Sequence, residues 1–314
     1  MLAQFVLVCG ARLLIATAYP DSLHGSVLKE ELTCINCCLF HKPSEMADIM
    51  VVFDFDKTIM DWECDDWIVH EFGLIDLVNE LLPTTPWNSL MDKMMGELHS
   101  RGKTIADIAD VLKRATMHPR IVPAIKSIHA LGCELRILSD ADLFYIETIL
   151  NHLGIRECFS QITTNPSFVD EEKGRLRILP FHDFRSSPHG CGLCPPNLCK
   201  GAVIERVQAS VSAEGKKKRF IYVGDGVGDY CPSLKLSEGD FMMPRKDYPA
   251  WDLICQNPAL LKAEIHEWTD GEELERVVLR LIDAIITEEE IKSGRSISSD
   301  REMQNIADHR CACP

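Results

Sequence analysis

Apolar positions along the 314-residue chain fall into two kinds of run that alternate. Short β-rich runs at 50–54, 133–138, 160–164, 219–223 and 240–243 read as buried strands, whereas 120–131, 143–153, 201–212, 249–255 and 272–287 space their apolar residues three and four apart, as helices do. That alternation predicts an α/β fold, a Rossmann-like parallel sheet with helices on both faces. In such sheets the carboxyl ends of the strands share one edge, where ligands bind. After the first strand the alternation is interrupted by 61–119, mostly helical in pattern, which predicts a small helical cap. The expected organisation is a core of 46–60 and 120–287, the cap at 61–119, an N-terminal extension without fixed structure at 1–45, and a flexible tail at 288–314.

The two ends carry motifs of their own. Phe5 to Ala18 is an apolar run that ends in Ala16-Thr-Ala18, similar to a signal-peptide cleavage site. No Lys or Arg precedes the run, Arg12 interrupts it, and it is too short to span a bilayer. It is therefore not expected to act as a signal, and the expected location is cytoplasmic. Residues 19–45 lack periodicity and include Cys34-Ile-Asn-Cys37-Cys38, which has only His41 nearby as a further zinc ligand, so a solvated tail is expected. Met46-Ala-Asp-Ile-Met50 leads into the first strand as an initiator would. Cys311-Ala-Cys-Pro314 sits where a prenylation box would, but its last two residues argue against one.

Charge narrows the partners. Lys and Arg number 33 against 48 Asp and Glu, a formal charge of −15, which argues against a surface that binds a phosphate backbone and so against nucleic acid. A small anion remains compatible, provided a metal or a few cationic groups reverse the field locally. No second apolar segment approaches membrane-spanning length, and no membrane partner is expected. Of the 14 cysteines, Cys133, Cys158 and Cys255 lie inside apolar runs, where a reduced thiol behaves as a small hydrophobe, and this usage suits a reducing compartment.

The chemistry concentrates at strand ends. Val51-Val-Phe-Asp-Phe-Asp56 closes the first strand with two carboxylates one residue apart, a placement that desolvation and repulsion oppose unless a cation compensates. Leu138-Ser139-Asp140 follows the second strand and Tyr222-Val-Gly-Asp225-Gly-Val-Gly-Asp229 the fourth, while Lys200 opens the third core helix. Taken singly, these could be loop caps, a helix N-cap and an ordinary Gly/Asp turn. As an ordered set aimed at one sheet edge they point to a shared site.

These residues resemble the haloacid-dehalogenase-like (HAD) phosphatase superfamily, whose four motifs match Asp54-Phe-Asp56-Lys-Thr58, Ser139, Lys200 and Gly224-Asp225-Gly-Val-Gly-Asp229. A narrower resemblance, from about Met50 to Ile286, rests on Asp65-Asp66-Trp67, Pro86-Trp-Asn-Ser-Leu-Met91, Cys194-Pro-Pro-Asn-Leu-Cys-Lys200, Tyr230-Cys-Pro-Ser233 and Met243-Pro-Arg245. They look like the phosphoethanolamine/phosphocholine phosphatase branch, especially its plant members, some described as pyrophosphatases or thiamine-monophosphate phosphatases. The resemblance implies Asp54 as nucleophile, Asp56 as general acid and base, and Thr58, Ser139 and Lys200 holding the phosphoryl oxygens. It further implies Mg2+ held by Asp54, the Asp56 carbonyl, Asp225 and Asp229. Threonine occupies position 56 in the cation-pumping relatives, so an aspartate there favours release of phosphate.

The expected substrate is a small phosphorylated metabolite, phosphoethanolamine or phosphocholine first, with pyrophosphate and thiamine monophosphate as alternatives. Asp65, Asp66, Trp67 and Asp140 are candidates to hold a cationic head group by charge and cation–π contact. Two positions depart from the branch: Cys64 stands where serine is usual, and Ser139-Asp-Ala-Asp142 ends in aspartate rather than asparagine. Asp142 either adds an acid to the site or caps the following helix. Transfer of the phosphoryl group to another hydroxyl, and a non-enzymatic phosphate sensor, are the rival classes; Asp56 and Lys200 together argue against the sensor. A separate cluster, His189-Gly-Cys191-Gly-Leu-Cys194 with Cys199, has the ligand types for zinc or for packed reduced thiols.

Overall fold

The structure is a computed structural model that describes residues 4–9, 12–17 and 48–292. Two units divide the chain, Met1–Ser44 and Glu45–Pro314. In the first, β1 (Gln4–Cys9) and β2 (Arg12–Thr17) pair antiparallel, with Gln4 opposite Thr17 and Cys9 opposite Arg12. The sequence reading placed no element there; the apolar, β-branched residues that resemble a signal segment equally suit a pair of strands. The Cys34–Cys38 motif and the terminal Cys311–Pro314 lie outside the described residues.

The second unit opens with β3 (Ile49–Phe53), followed by four helices, α1 (Cys64–Glu71), α2 (Ile75–Leu81), α3 (Trp87–Ser100) and α4 (Ile105–Leu112). Then come α5 (Ile121–Ala130), β4 (Glu134–Asp142), α6 (Leu143–Leu153), β5 (Phe159–Asn165) and a hairpin of β6 (Ser167–Asp170) and β7 (Arg175–Ile178). The chain closes with α7 (Lys200–Ala213), β8 (Arg219–Gly224), α8 (Tyr230–Ser233), β9 (Phe241–Pro244), α9 (Pro249–Gln256), β10 (Glu264–Ile265) and α10 (Gly271–Lys292).

Six strands form one parallel sheet in the order β10-β9-β8-β3-β4-β5, with β3 central. Alternation along β3 explains why it is buried on both sides. Ile49, Val51 and Phe53 join a cluster with Ile121, Ile125 and Ile128 of α5, Ile146 of α6 and Val278 of α10. Met50 and Val52 point the other way, into a cluster with Val203 and Ile204 of α7 and Ile254 of α9. Each such side chain, fully removed from water, contributes about 1.5–3 kcal/mol. This makes β3 a rigid post for the aspartates that follow it.

Several elements differ from the periodicity reading, which also placed neither β10 nor α8. β4 runs on through Ser139 to Asp142, its register with β5 shifting between Leu138 and Asp142. Side chains replace the lost ladder there: Thr164 Oγ1 donates to Ala141 O at 2.7 Å, and Asn165 Nδ2 donates to Asp140 O at 2.6 Å. The β6–β7 hairpin was hidden by its charge, since Asp170 to Arg175 reads as a polar loop; only Leu176 and Ile178 are buried in it. It is anchored from outside by Asp92 of α3, which accepts from Arg175 Nη2 and Arg177 Nε, both at 2.9 Å. α10 continues to Lys292, past the expected boundary at 287. Cys133 and Cys158 are buried free thiols, as their apolar settings imply, whereas Cys255 is disulfide-bonded.

Candidate active site

Asp54 is the first residue beyond β3, and its N–H still donates to Val223 O of β8 at 2.8 Å, so the strand delivers it in fixed orientation. Asp54 is 5% exposed, and its Oδ1 accepts from the Phe55 N–H at 2.7 Å. The chain then turns sharply. Lys57 takes the left-handed conformation at φ 53, which costs a non-glycine residue of order 1 kcal/mol, and Arg245 Nη1 holds its carbonyl at 2.5 Å. This turn carries Thr58 back beneath the loop after β8, where its hydroxyl donates to Asp225 Oδ1 at 3.1 Å. Asp56 faces α1 and accepts from the Cys64 N–H at 3.1 Å.

Lys200, the first residue of α7 and 3% exposed, reaches the same place from the opposite side of the sheet edge. Its Nζ lies 2.9 Å from Asp54 Oδ1 and 2.8 Å from Asp229 Oδ1. Asp229 is fully buried and holds the whole turn: Oδ1 also accepts from Tyr222 OH at 2.7 Å, and Oδ2 accepts from the N–H groups of Asp225 and Gly226 at 3.0 and 2.9 Å. Gly224 is required for this packing, because a Cβ there would meet Asp229 side-chain atoms at 2.5–2.9 Å. Gly224→Ala is therefore expected to cost about 1–3 kcal/mol through overpacking, read as a lower Tm, while pulling Asp229 away from Lys200. An unchanged Tm would show that the turn relaxes freely.

Three buried carboxylates face one ammonium. Asp54, Asp225 and Asp229 each offer an oxygen within 4.8 Å of the others. Burial, then the neighbouring Asp229, push the Asp54 carboxyl well above its usual range, with Lys200 only partly offsetting them. Asp225 is pushed up to about 7 by burial and then by Asp229. Lys200 is itself raised, burial being outweighed by Asp229 and Asp54. A cluster of hard oxygen donors that resists its own ionisation is short of positive charge, the condition that suits a divalent cation.

A second feature adjoins this cluster. Asp65, Trp87, Asn88, Asp140, Asp142 and Asn165 line a cavity between α1, α3 and the end of β4, with Met91, Ala141 and Ile178 completing its walls. Its polar groups are acceptors in excess. Asp142 Oδ1 caps α6, accepting from the Phe144 and Tyr145 N–H groups at 2.9 and 3.2 Å and from Ser167 Oγ at 2.6 Å. Asp142 Oδ2 and Asn88 Oδ1 are buried without a hydrogen-bond partner among the described residues. Asp65 Oδ2 accepts from Trp87 Nε1 at 2.7 Å, and its carboxyl is driven up by burial and then by the charges of Asp142 and Asp56, which places it on the Asp56 side of the site.

The residues singled out in the sequence thus divide. Asp54, Thr58, Lys200, Asp225 and Asp229 meet in one hydrogen-bonded cluster. Ser139 is fully buried in β4 beside β3, its Oγ accepting from the Ala141 N–H at 3.2 Å. Asp65 and Asp140 line the cavity, but Asp66 is exposed and Trp67 is tied into the helices, its Nε1 donating to Val111 O at 3.0 Å with its ring 5.4 Å from that of Trp62. Trp87 and Asn88 take their place. The motif Pro86-Trp-Asn flagged this segment, yet only the packing of α3 against β7 tells which indole reaches the cavity. Asp142 both caps α6 and faces the cavity, so the two readings of it are not exclusive.

Comparison with known proteins bears on what this arrangement belongs to. The family model described as "Putative Phosphatase" matches residues 49–282. The chain is 60% identical over 243 residues to inorganic pyrophosphatase 2 of Arabidopsis thaliana, covering 77% of this chain and 87% of that protein. It is 50% identical to a thiamine phosphate phosphatase-like protein of Arabidopsis thaliana, covering 78% of this chain and all of that one. Identity to the phosphoethanolamine/phosphocholine phosphatase of Homo sapiens is 31%, over 70% of this chain and 84% of that one. A HAD-family hydrolase from Salmonella enterica shares the fold, at TM-score 0.51 and 16% identity over 90% of this chain and 89% of that one. The family match begins at the first residue of β3 and ends inside α10, enclosing the whole sheet and every residue of the aspartate cluster, and this chain therefore belongs to the HAD-like phosphatase family.

Proposed function

We propose that this phosphatase hydrolyses a small phosphate ester whose leaving group carries positive charge, with phosphoethanolamine and phosphocholine as the preferred substrates. The observation that carries the reading is the set of acidic groups lining a small cavity on the Asp56 side of the site, with room for about one water-sized group such as the ammonium end of a substrate. Asp65, Asp140 and Asp142 line it, and among the described residues Asp142 Oδ2 and Asn88 Oδ1 lack partners and neither Lys nor Arg lines it. Unpartnered buried acceptors cost about 1–3 kcal/mol each, and a ligand that donates hydrogen bonds recovers that cost. The –NH3+ of phosphoethanolamine does so; the trimethylammonium of phosphocholine has no N–H to donate and would be met only by the acidic charge and by the cation–π face of the Trp87 ring.

In the proposed mechanism Asp54 Oδ forms a bond to phosphorus as the bond from phosphorus to the leaving oxygen breaks, giving an aspartyl-phosphate. Asp56 gives its proton to that oxygen; burial raises its carboxyl to about 7 against the lowering effect of its bonds to Cys64, so a protonated fraction persists near neutrality. Water then attacks phosphorus, Asp56 takes the proton, and the bond to Asp54 breaks. Lys200, Thr58 and Ser139 hold the phosphoryl oxygens. Asp54, Asp225 and the Asp56 carbonyl would hold Mg2+, with Asp229 fixing the turn and Lys200; when bound, the ion neutralises charge on the phosphoryl group. α1 to α4 act as the cap that supplies Asp65, Trp87 and Asn88.

A second reading, pyrophosphate, is favoured by the names of the relatives at 60% and 58% identity. In that case the acidic cavity receives the cation of a metal-pyrophosphate complex rather than an ammonium group. Comparing kcat/KM for phosphoethanolamine, phosphocholine, thiamine monophosphate and pyrophosphate at saturating Mg2+ separates the two. Preference for pyrophosphate over every cationic ester would overturn the first.

pH adds a test specific to this chain. Burial raises Asp142 to about 7 despite its bonds from Ser167, Tyr145 and Phe144, so the cavity gains a negative charge as pH rises through about 7. KM for phosphoethanolamine is expected to fall roughly tenfold between pH 6 and 8, equivalent to about 1.4 kcal/mol. KM for an uncharged-leaving-group ester such as p-nitrophenyl phosphate should lack this inflection. Asp142→Asn keeps a capping oxygen for α6 and should flatten the profile. An inflection that survives in Asp142→Asn would assign the titration elsewhere.

A further inference from the structure

Four cysteines gather outside the aspartate site. Cys191, Cys194 and Cys199 come from the loop before α7, and Cys231 from α8, forty residues on from the first; their Sγ atoms all lie within 4.8 Å of one another. All four are free thiols, with Cys199 and Cys231 buried. The Cys191 and Cys231 sulfurs are 3.7 Å apart, too far for a disulfide at about 2.05 Å. A tetrahedral zinc with Zn–S bonds of about 2.3 Å sets its sulfurs about 3.8 Å apart.

The geometry points to a structural zinc site formed by Cys191, Cys194, Cys199 and Cys231. Its spacing, two residues between the first pair and four before the third, is that of thiolate zinc sites, and the fourth ligand comes from a distant segment. His189, the histidine nearest in sequence, is not a ligand. Its Nδ1 accepts from the Cys191 N–H at 3.0 Å and its Nε2 bonds Pro195 O at 3.0 Å, which occupies both ring nitrogens and shapes the loop around the sulfurs. The Ala202 N–H donates to Cys199 Sγ at 3.4 Å, so the N-terminus of α7 faces the cluster and offsets its negative charge. Gly201 leaves the room that Cys231 occupies, since a Cβ there would lie 2.4 Å from its sulfur.

Position gives the site a purpose. Cys199 immediately precedes Lys200, and Cys231 follows Asp229 by two residues, so one ion would staple together the two segments whose ends form the 2.8 Å Lys200–Asp229 pair. The ion is chemically separate from the catalytic one: soft thiolates select zinc, and hard carboxylates select magnesium.

Metal analysis of the full chain, purified under reducing conditions without chelator from zinc-supplemented cells, tests the site. The expected result is about one zinc per chain. It should persist in Asp225→Asn and His189→Gln and be lost in Cys194→Ser and Cys231→Ser. Should the serine variants fail to fold, titrating native wild type with a thiol-binding mercurial should release its zinc as the cysteines are modified. Cobalt taken up in place of zinc should show thiolate-to-cobalt charge transfer and intense tetrahedral d–d bands. Wild type without stoichiometric zinc, zinc lost in His189→Gln with retention in Cys231→Ser, or a Cys191–Cys231 disulfide in the zinc-free protein would each overturn the assignment. None of these outcomes bears on the phosphatase reading, which rests on the carboxylates.

Discussion

Asp54→Asn is expected to reduce phosphate release by at least about 10⁴-fold on every ester tested, because an amide cannot form the acyl-phosphate and the remaining residues supply only binding and charge stabilisation. In free energy that is about 5 kcal/mol of lost transition-state stabilisation. The same change should not lower stability in metal-free buffer. The Asp54 carboxyl is raised well above its ordinary value, mainly by burial and then by Asp229, despite Lys200 at 2.9 Å. An acid whose folded pKa exceeds its unfolded one weakens the fold as pH rises above the unfolded value, so removing it at pH 7.5 removes a penalty. The expected signature is therefore loss of turnover with a Tm in EDTA that is unchanged or higher, and with a smaller gain in Tm on adding Mg2+. Both are read from a phosphate-release assay and a thermal melt. Turnover within tenfold of wild type would end the nucleophile assignment.

Lys200→Met acts in the opposite direction on stability. Its ammonium is the cation that Asp54 and Asp229 share, at 2.9 and 2.8 Å, in surroundings where it is 3% exposed. Removing one member of a buried ion pair costs about 3–5 kcal/mol, because the partners remain desolvated and unpaired. The variant is expected to melt well below wild type in EDTA, and the deficit should shrink with Mg2+, which would supply positive charge to the same carboxylates. Turnover should fall about 10²–10³-fold even when the protein is folded, as when a positioned donor to a developing oxyanion is removed. A folded variant with kcat within about threefold of wild type would show that Lys200 serves packing alone. The two substitutions would thus separate the residue proposed to react from the residue that compensates its charge.

Neighbouring residues explain which parts of this site sequence could reveal. Asp54 and Lys200 stand at the ends of elements whose boundaries follow from apolar periodicity, β3 and α7, so their placement at one edge follows once the sheet is parallel. Asp225 and Asp229 are spaced by glycines, and Gly224 is demanded by the Asp229 side chain packed against it. Trp87 and Trp67 illustrate the contrary case. Both lie in helical segments of similar composition, yet Trp87 meets Asp65 in the cavity while Trp67 bonds Val111 O within the helices. Periodicity reports which face of a helix is apolar, and an indole satisfies that test whether it faces a core or a ligand.

Long-range partners were legible to different degrees for the same reason. The pairing of Arg175 and Arg177 with Asp92, which holds the β6–β7 hairpin against α3, joins residues more than eighty positions apart through a segment that reads as polar loop. Cys231 likewise sits in a short helix with no zinc-like neighbour in sequence, and His189 was the plausible fourth ligand until its ring nitrogens were found bonded to the loop backbone.

By itself the sequence determined the alternation of strands and helices, the order of acids at the strand ends and the family to which they point, because these depend on local spacing and on burial along one element. Tertiary structure alone decided that one lysine bridges two aspartates, that the oxygen Asp142 leaves over from its local helix cap faces a cavity built from other segments, and that four sulfurs from distant segments meet. Those outcomes depend on distances of about 3 Å between elements far apart in the chain, and no local rule encodes such distances.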